Sequence, residues 1–231
     1  AQKPVIGLFT NVLWDAQIFY AGNAFNHMLD WLFFTIEYFK RHEELQLLVR
    51  IHPAENQMRR STQPIMCELL NRYPSLPDHI KLIEADNPIN SYSLVNMIDV
   101  GLVYSTKMSL EMAYRGIPCI IAGESFMRNK GFAHDAQTQD KYQALLDDIL
   151  NLPDIPDMKA RAQKYAYHFF YRRMLDFPFV KSNLSHLGDS ALLFDSLGDL
   201  LPGKCESLDL ICDGILKGAP FVAPDYEESV V

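Results

Sequence analysis

The stretch that decides the fold is DVGLVYSTKMSLEMAYRGIPCIIAG, residues 99–123. Two short apolar runs in it, at 100–103 and 119–122, have the length and composition of strands that are buried on both faces. The residues between them predict a helix, and Gly116 followed by Pro118 ends it. This stretch therefore predicts one strand–helix–strand step of an open α/β sheet.

Hydroxyl side chains crowd the turn between the first strand and the helix. Ser105, Thr106 and Ser109 lie where backbone N–H groups and the positive end of the helix dipole meet, which favours a phosphate ligand. Lys107 in the first turn opposes the dipole, so an anion there would explain it better. Glu111 follows in position to accept hydrogen bonds from sugar hydroxyls. Each of these residue types is also ordinary at a helix start or on an exposed helix face, so both interpretations stay open.

Length, hydrophobic content and net charge limit the kinds of protein that this chain can be. A chain of 231 residues that is 48% hydrophobic can bury a sizeable core, and a net charge of −8 argues against a nucleic-acid partner. The most basic run, 159–173, interleaves cations with aromatic residues and is typical of an exposed helix face with an apolar stripe behind it.

Cysteine usage and hydropathy suggest a compartment. Four cysteines without a CxxC pair predict reduced thiols and neither a disulfide framework nor a zinc site. The chain has no apolar stretch of membrane-spanning length and no signal-peptide layout. We expect a cytoplasmic location, with peripheral attachment to the inner membrane left open. A chain that begins at Ala1 and enters a strand almost at once also resembles a piece of a longer polypeptide.

Strand and helix patterns alternate through the first two thirds of the chain. The predicted strands are 5–10, 47–51, 80–83, 100–103 and 119–122, and helices at 24–42, 66–73 and 90–98 separate the first four. Five such alternations favour a doubly wound, mostly parallel sheet of the Rossmann-like α/β class. Helical patterns follow at 140–150, 156–174, 186–201 and 205–216. We predict a Rossmann-like domain at 1–150 and a helical C-terminal appendage at 151–231.

Four loops follow the carboxyl ends of the predicted strands, where ligands bind in open α/β sheets. Their polar and ionisable residues are Thr10, Asn11, Trp14 and Asp15; Arg50, His52 and Glu55; residues 84–92; and residues 105–109. We expect these loops to converge on one site.

Several of these motifs together resemble a known family. A His-Pro pair follows the second strand in RIHPAE (50–55), IEADNPINSYSL (83–94) precedes a helix, and STKMSLEMAYRGIPCIIAGE (105–124) follows. These segments, with FTNVLWDA (9–16) and GESFMRNKG (123–131), are similar to the donor-nucleotide half of GT-B glycosyltransferases, and closest to the capsule polysaccharide biosynthesis family. That family transfers sugars during bacterial surface polysaccharide assembly, and the resemblance covers residues 4–146.

The resemblance implies roles for individual residues. His52 would contact the donor phosphate, and the backbone at Ile83 and Glu84 would border the base. The turn at 105–109, with Ser105, Thr106, Lys107 and Ser109, would hold phosphate, and Glu111 would bind the ribose. The substrates would be a nucleotide-sugar donor and a glycan or glycolipid acceptor, with no cofactor. The acceptor, and usually the catalytic base, belong to an N-terminal Rossmann-like domain that this sequence does not show.

The chemistry implied is glycosyl transfer without a metal, since no DxD-like acidic pair flanks a strand end; Asp86 and Asp99 do not form one. Helix-end N–H groups and cations would stabilise the departing phosphate. The cations at hand are Lys107, Arg128 and Lys130, of which Arg128 is also expected simply to be exposed.

Asp15 and Lys130 are the candidate catalytic residues. Asp15 could bond to the sugar or take a proton from it, and Trp14 beside it could stack on the sugar or belong to the core. His134 with Asp135 is a weaker acid–base candidate, because adjacent side chains rarely face one another. A UDP-sugar 2-epimerase and a non-catalytic nucleotide-binding or assembly module remain alternative functions.

Overall fold

The computed structural model describes residues 3–14, 22–57, 64–182 and 190–223. The chain divides into two compact units, 1–163 and 164–231, which are described separately. The strands of the first unit are β1 (Val5–Phe9), β2 (Gln46–Arg50), β3 (Ile80–Ile83), β4 (Val100–Val103), β5 (Cys119–Ile121) and β6 (His134–Asp135). Its helices are α1 (Met28–Phe39), α2 (Ala54–Gln57), α3 (Ile65–Arg72), α4 (Ser91–Val95), α5 (Met108–Arg115) and α6 (Gln139–Asp147), with a 3-10 turn at Ile149–Asn151. A further helix, α7 (Met158–Tyr167), begins in the first unit and ends in the second.

The six strands form one parallel sheet in the order β3-β2-β1-β4-β5-β6. This confirms the predicted doubly wound α/β class. The strand order reverses between β1 and β4, so the carboxyl ends of these two strands open the crevice in which such sheets bind ligands. The sequence analysis missed β6, because a two-residue strand of His134 and Asp135 contains no apolar run.

Side chains along β1 and β4 point alternately to the two faces of the sheet, and both faces are covered by helices. Ile6, Leu8 and Leu102 are fully buried in a core cluster that includes the apolar side of α1. Residues between them point to the opposite face, where α5 packs. Gly101 is one of these, and a Cβ there would overlap with Sδ of the fully buried Met112. The absence of a side chain at this position is what lets α5 approach the sheet.

We expect Gly101→Ala to lower the free energy of unfolding by about 1–3 kcal/mol, because the added methyl group overpacks a closed interface. The effect is measurable by denaturant unfolding. In a Met112→Ala background the clashing sulfur is gone, so the same substitution should cost almost nothing. Equal losses in both backgrounds would contradict the packing explanation.

Two helix ends are determined by residues at those ends. The helix predicted at 24–42 is observed as the shorter α1. It begins after His27, because Nδ1 of this residue caps the helix by accepting the N–H of Asp30 at 3.2 Å. Gly116 ends α5 in the left-handed conformation, with φ +83°, as its position in the sequence predicted.

The second unit combines short elements. A π-helical turn at His168–Arg172 is followed by an antiparallel pair, β7 (Val180–Ser182) and β8 (Ser190–Leu192), a 3-10 turn (Leu197–Leu200) and α8 (Glu206–Lys217). The predicted helix at 186–201 is wrong over 190–201, while 186–189 lie outside the described residues. Ser196 caps the 3-10 turn through its Oγ, which accepts the N–H of Gly198 at 3.2 Å. Within the described ranges, no helix has both the length and the apolar character that crossing a bilayer requires.

Candidate functional site

Side-chain hydrogen bonds join the loops at the carboxyl edge of the sheet. Asn11, after β1, accepts the Ser105 N–H at 3.1 Å through its Oδ1, which bridges the point where the strand order reverses. Thr10 Oγ1 accepts the His52 N–H at 3.0 Å and so ties the end of β1 to the end of β2. The convergence of these loops that the sequence analysis expected is therefore present.

Two adjoining cavities open at this edge, and we call them together the cleft. The larger has a volume of about 720 Å³ and is lined by Arg50, His52, Pro53, residues 85–92 and Met108. The smaller, of about 250 Å³, shares several of these residues and adds Phe9, Thr10, Thr106, Lys107 and Glu111. The cleft thus brings together the loops after β1, β2, β3 and β4.

Arg50 holds the loop after β3 in place. This buried last residue of β2 donates from its guanidinium to the carbonyl oxygens of Glu84, Asn87 (3.3 Å) and Ile89 (3.2 Å). Burial lowers the pKa of Arg50 and the nearby Asp86 carboxylate opposes that shift; an arginine nevertheless stays charged at neutral pH. The sequence analysis placed Arg50 in the right loop but missed this function, because the acceptors are backbone atoms more than 30 residues away.

His52 lines both cavities with a defined tautomer. Its Nδ1 accepts the N–H of Ala54 at 3.1 Å, so in the neutral ring the proton resides on Nε2. The neutral ring therefore carries its N–H at Nε2, and an N–H is the type of group that donates to a phosphate oxygen.

The hydroxyl-rich turn contains residues that line the cleft and residues that do not. Thr106 and Lys107 line the smaller cavity, at the N-terminal end of α5. Ser105 is buried and its N–H is already donated to Asn11. Ser109 is fully buried and its hydroxyl donates to the Thr106 carbonyl at 3.2 Å. The Ser109 hydroxyl therefore has a partner within the protein, the Ser105 hydroxyl is buried with no partner among the described residues, and Thr106 and Lys107 line the cleft.

Glu111 contributes a half-buried carboxylate to the smaller cavity. Its Oε1 accepts the hydroxyl of Tyr92 at 3.2 Å, and its Oε2 is buried with no partner among the described residues. Burial raises the pKa of Glu111, and the Tyr92 hydrogen bond and the positive charges of Lys107 and Arg115 partly offset that rise. A hydroxyl group that donates to this carboxylate would fill a hydrogen bond that the protein leaves open.

Two candidate cations do not line the cleft, and one candidate acid lies outside the described residues. Lys130 is exposed and is not one of the residues that line either cavity. Arg128 is buried, contrary to the expectation of an exposed side chain, because it donates to the carbonyls of Gly22 and Ala136 (3.0 Å). Asp15 lies outside the described residues.

The base-bordering residues and the alternative acid–base pair are also placed. The Glu84 carbonyl belongs to the loop that Arg50 holds, whereas Ile83, the last residue of β3, lines neither cavity. His134 and Asp135 are consecutive in β6, where neighbouring side chains point to opposite faces, so they do not form an acid–base pair. Trp14 is 39% exposed and is not a core residue.

A third, smaller cavity of about 150 Å³ adjoins the loop after β3 and includes Glu55, Glu84 and Asp86 in its lining. Burial raises the pKa of Glu55, although hydrogen bonds from the backbone at Ile65 and Leu13 oppose the shift. Over the part of the chain that the structure describes, no three His, Cys, Asp or Glu side chains are grouped as metal ligands would be.

No family model and no curated protein matches this chain. Several solved structures are similar to it over part of its length. KpsC of Thermosulfurimonas dismutans, a beta Kdo 2,4 transferase, is 17% identical with a TM-score of 0.45, over 60% of this chain and 40% of that one. The glycotransferase of kitacinnamycin is 14% identical with a TM-score of 0.43, over 70% and 38%. The S. aureus MnaA–UDP complex is 13% identical with a TM-score of 0.44, over 73% and 46%. The chain spans less than half the length of each of these proteins.

Proposed function

We propose that the cleft binds a nucleotide-activated sugar and belongs to a glycosyltransferase of the GT-B type that acts in bacterial surface polysaccharide synthesis. The observation that carries this proposal is the order of groups along one cleft. A phosphate-binding corner formed by His52, Thr106 and Lys107 adjoins the partly unsatisfied carboxylate of Glu111, and the loop at 85–92 forms the larger chamber beyond it. These three parts suit the phosphate, the ribose and the base of one nucleotide.

The same corner would also assist the chemistry. When a sugar leaves its nucleotide, negative charge develops on the phosphate, and donors that are already aimed at that charge lower the barrier. Lys107, the Nε2–H of His52 and the start of α5 are the donors that we assign to this role. This scheme requires no metal, and it uses only groups that line the cleft.

The remaining roles are proposals that need residues beyond the cleft. The sugar acceptor, a glycan or a glycolipid, and a catalytic base would come from a second domain, as the family resemblance implies. Asp15 and Lys130 stay predictions for the catalytic step. The chain would act in the cytoplasm, where nucleotide-sugars are made available to such enzymes.

Titration calorimetry with CMP, UDP, GDP and ADP tests the proposal directly. We expect one of the four to bind clearly more tightly than the others, because a loop held rigidly by Arg50 presents a fixed surface to the base. Inorganic phosphate should bind more weakly than any nucleotide, since it engages only the corner. Failure of all four to bind at millimolar concentration would contradict the proposed function.

A further test concerns Glu111 and the ribose. Glu111→Gln keeps the shape of the side chain but replaces an ionised acceptor, so it should weaken ribonucleotide binding by about tenfold and leave 2′,3′-dideoxy analogues nearly unaffected. Equal losses for both ligands would show that Glu111 acts through the fold.

The same residue predicts a pH dependence. Ribonucleotide affinity should be highest where Glu111 is ionised and should decline as the pH falls through its pKa. Because burial raises that pKa, the decline should begin at a higher pH than for an ordinary glutamate. The Glu111→Gln variant should lack this step in a titration series, while a protein whose pH profile is unchanged by the substitution would contradict the assignment.

A further inference from the structure

The second unit leaves its apolar side chains unburied. Twelve of the nineteen large hydrophobic side chains that are exposed in the described residues lie within 164–223, and none of the buried hydrophobic side chains lies after Ala162. A segment with this composition normally buries such side chains against something, because each one gains free energy when it leaves water. The unit therefore carries a surface that suits a further contact.

The exposed residues form one stripe at the start of the unit. Tyr167 ends α7, Phe170 and Tyr171 lie in the π-helical turn His168–Arg172, and Met174 follows two residues after that turn. Their exposed fractions are 46, 38, 71 and 53%. The rings of Tyr167 and Tyr171 stack at 5.6 Å between centroids. We call these four residues the aromatic stripe.

The charges along the aromatic stripe are mostly positive. Residues 164–176, KYAYHFFYRRMLD, contain Lys164, Arg172 and Arg173 and one acidic residue, Asp176, although the whole chain has a net charge of −8. Lys164 and Arg173 are exposed. Cations beside exposed aromatic and apolar side chains are the pattern that binds the surface of an anionic bilayer.

We propose that the aromatic stripe docks on the surface of an anionic lipid bilayer, with its apolar side chains at the headgroup level and Lys164 and Arg173 on the lipid phosphates. A glycan is a poorer occupant, because sugar recognition relies on several carboxylate and amide side chains, and 164–176 contains only the carboxylate of Asp176. A second copy of this chain is also a poorer occupant, since two stripes that face each other would place like charges together. This contact goes beyond nucleotide binding and does not depend on it.

Vesicle co-sedimentation of the whole 231-residue chain tests the proposal. The probes are vesicles of phosphatidylcholine alone and of an equal mixture with phosphatidylglycerol. We expect binding to the mixed vesicles, weak binding to the neutral ones, and weaker binding at high salt. Lys164→Gln with Arg173→Gln should reduce partitioning about 25-fold, at about fivefold per cation. Tyr171→Ser with Met174→Ser should reduce it at least tenfold.

The matched control uses equally exposed apolar residues elsewhere in the same unit. Leu197 and Leu216 are 77 and 79% exposed and lie outside 164–176, with Asp199 and Asp213 nearby. Lys217, next to Leu216, is paired with Asp213 at 2.7 Å, so Leu197→Ser with Leu216→Ser should leave vesicle binding unchanged. All the substituted residues are exposed, and circular dichroism checks that each variant is folded.

Three outcomes would overturn the proposal. One is equal binding to neutral and anionic vesicles; another is the same loss in the control variant, which would indicate nonspecific apolar adhesion. The third is an absence of vesicle binding together with a concentration-dependent dimer that Tyr171→Ser with Met174→Ser abolishes, which would assign the stripe to a second copy.

Discussion

Replacing both His52 and Lys107 by Ala should weaken nucleotide binding by about a hundredfold. Each of these residues would donate a charge-assisted hydrogen bond to phosphate, and such a bond contributes about 1.5–3 kcal/mol. Each single variant should therefore lose about tenfold, and the double variant should lose roughly the product of the two. Titration calorimetry with the tightest-binding nucleotide measures all three.

Lys141→Ala is the matched control for this experiment. Lys141 is exposed and does not line the cleft, and its removal changes the net charge by the same amount as Lys107→Ala. The nucleotide affinity of Lys141→Ala should equal that of the unchanged protein. A similar loss in Lys141→Ala would mean that long-range charge drives binding, and an unchanged affinity in the double variant would contradict the phosphate-binding corner.

The sheet could be read from the sequence because its signals are local. Buried parallel strands appear as short apolar runs, and a glycine followed by a proline ends a helix wherever it occurs. The short strand β6 could not be found in this way: His134 and Asp135 pair with β5 only because the chain returns to that edge. The incorrect helix at 190–201 has a similar cause, since β8 exists through its pairing with β7.

The site was predictable in its location but not in its detailed contacts. A hydroxyl at a helix start predicts a donor or a cap equally well, and the partner decides which one it is. The Ser109 hydroxyl donates to the Thr106 carbonyl, whereas the Ser105 hydroxyl is buried with no partner among the described residues and only the Ser105 N–H is bonded, to Asn11. Lys107 lines the cleft. Arg128 shows the same limit, because its acceptors are backbone carbonyls that no sequence pattern reveals.

The second large effect that we expect is from Arg50→Met, which should lower the free energy of unfolding by about 3 kcal/mol. Methionine fills similar space but donates nothing, so the carbonyls of Glu84, Asn87 and Ile89 lose their charged partner. Some of those carbonyls can accept hydrogen bonds from water instead. The expected decrease in the free energy of unfolding is therefore smaller than the sum of three separate hydrogen bonds. Arg50→Lys should recover part of the stability, because an ammonium group keeps the charge but cannot reach all three acceptors.

The nucleotide profile of Arg50→Met separates its effect on the loop from a general loss of folding. Because Arg50 fixes the loop at 85–92 and not the phosphate corner, the variant should discriminate less among CMP, UDP, GDP and ADP while its affinity for inorganic phosphate is retained. Arg41→Met is the stability control, since Arg41 is exposed and its Nε donates to the Glu37 carbonyl at 3.2 Å, so its removal should change stability by no more than about 0.5 kcal/mol. If Arg50→Met were as stable as Arg41→Met and selected the same base as the unchanged protein, the loop would hold its shape without Arg50, and base selection would have to arise from the residues of α4 and α5 that face the cleft.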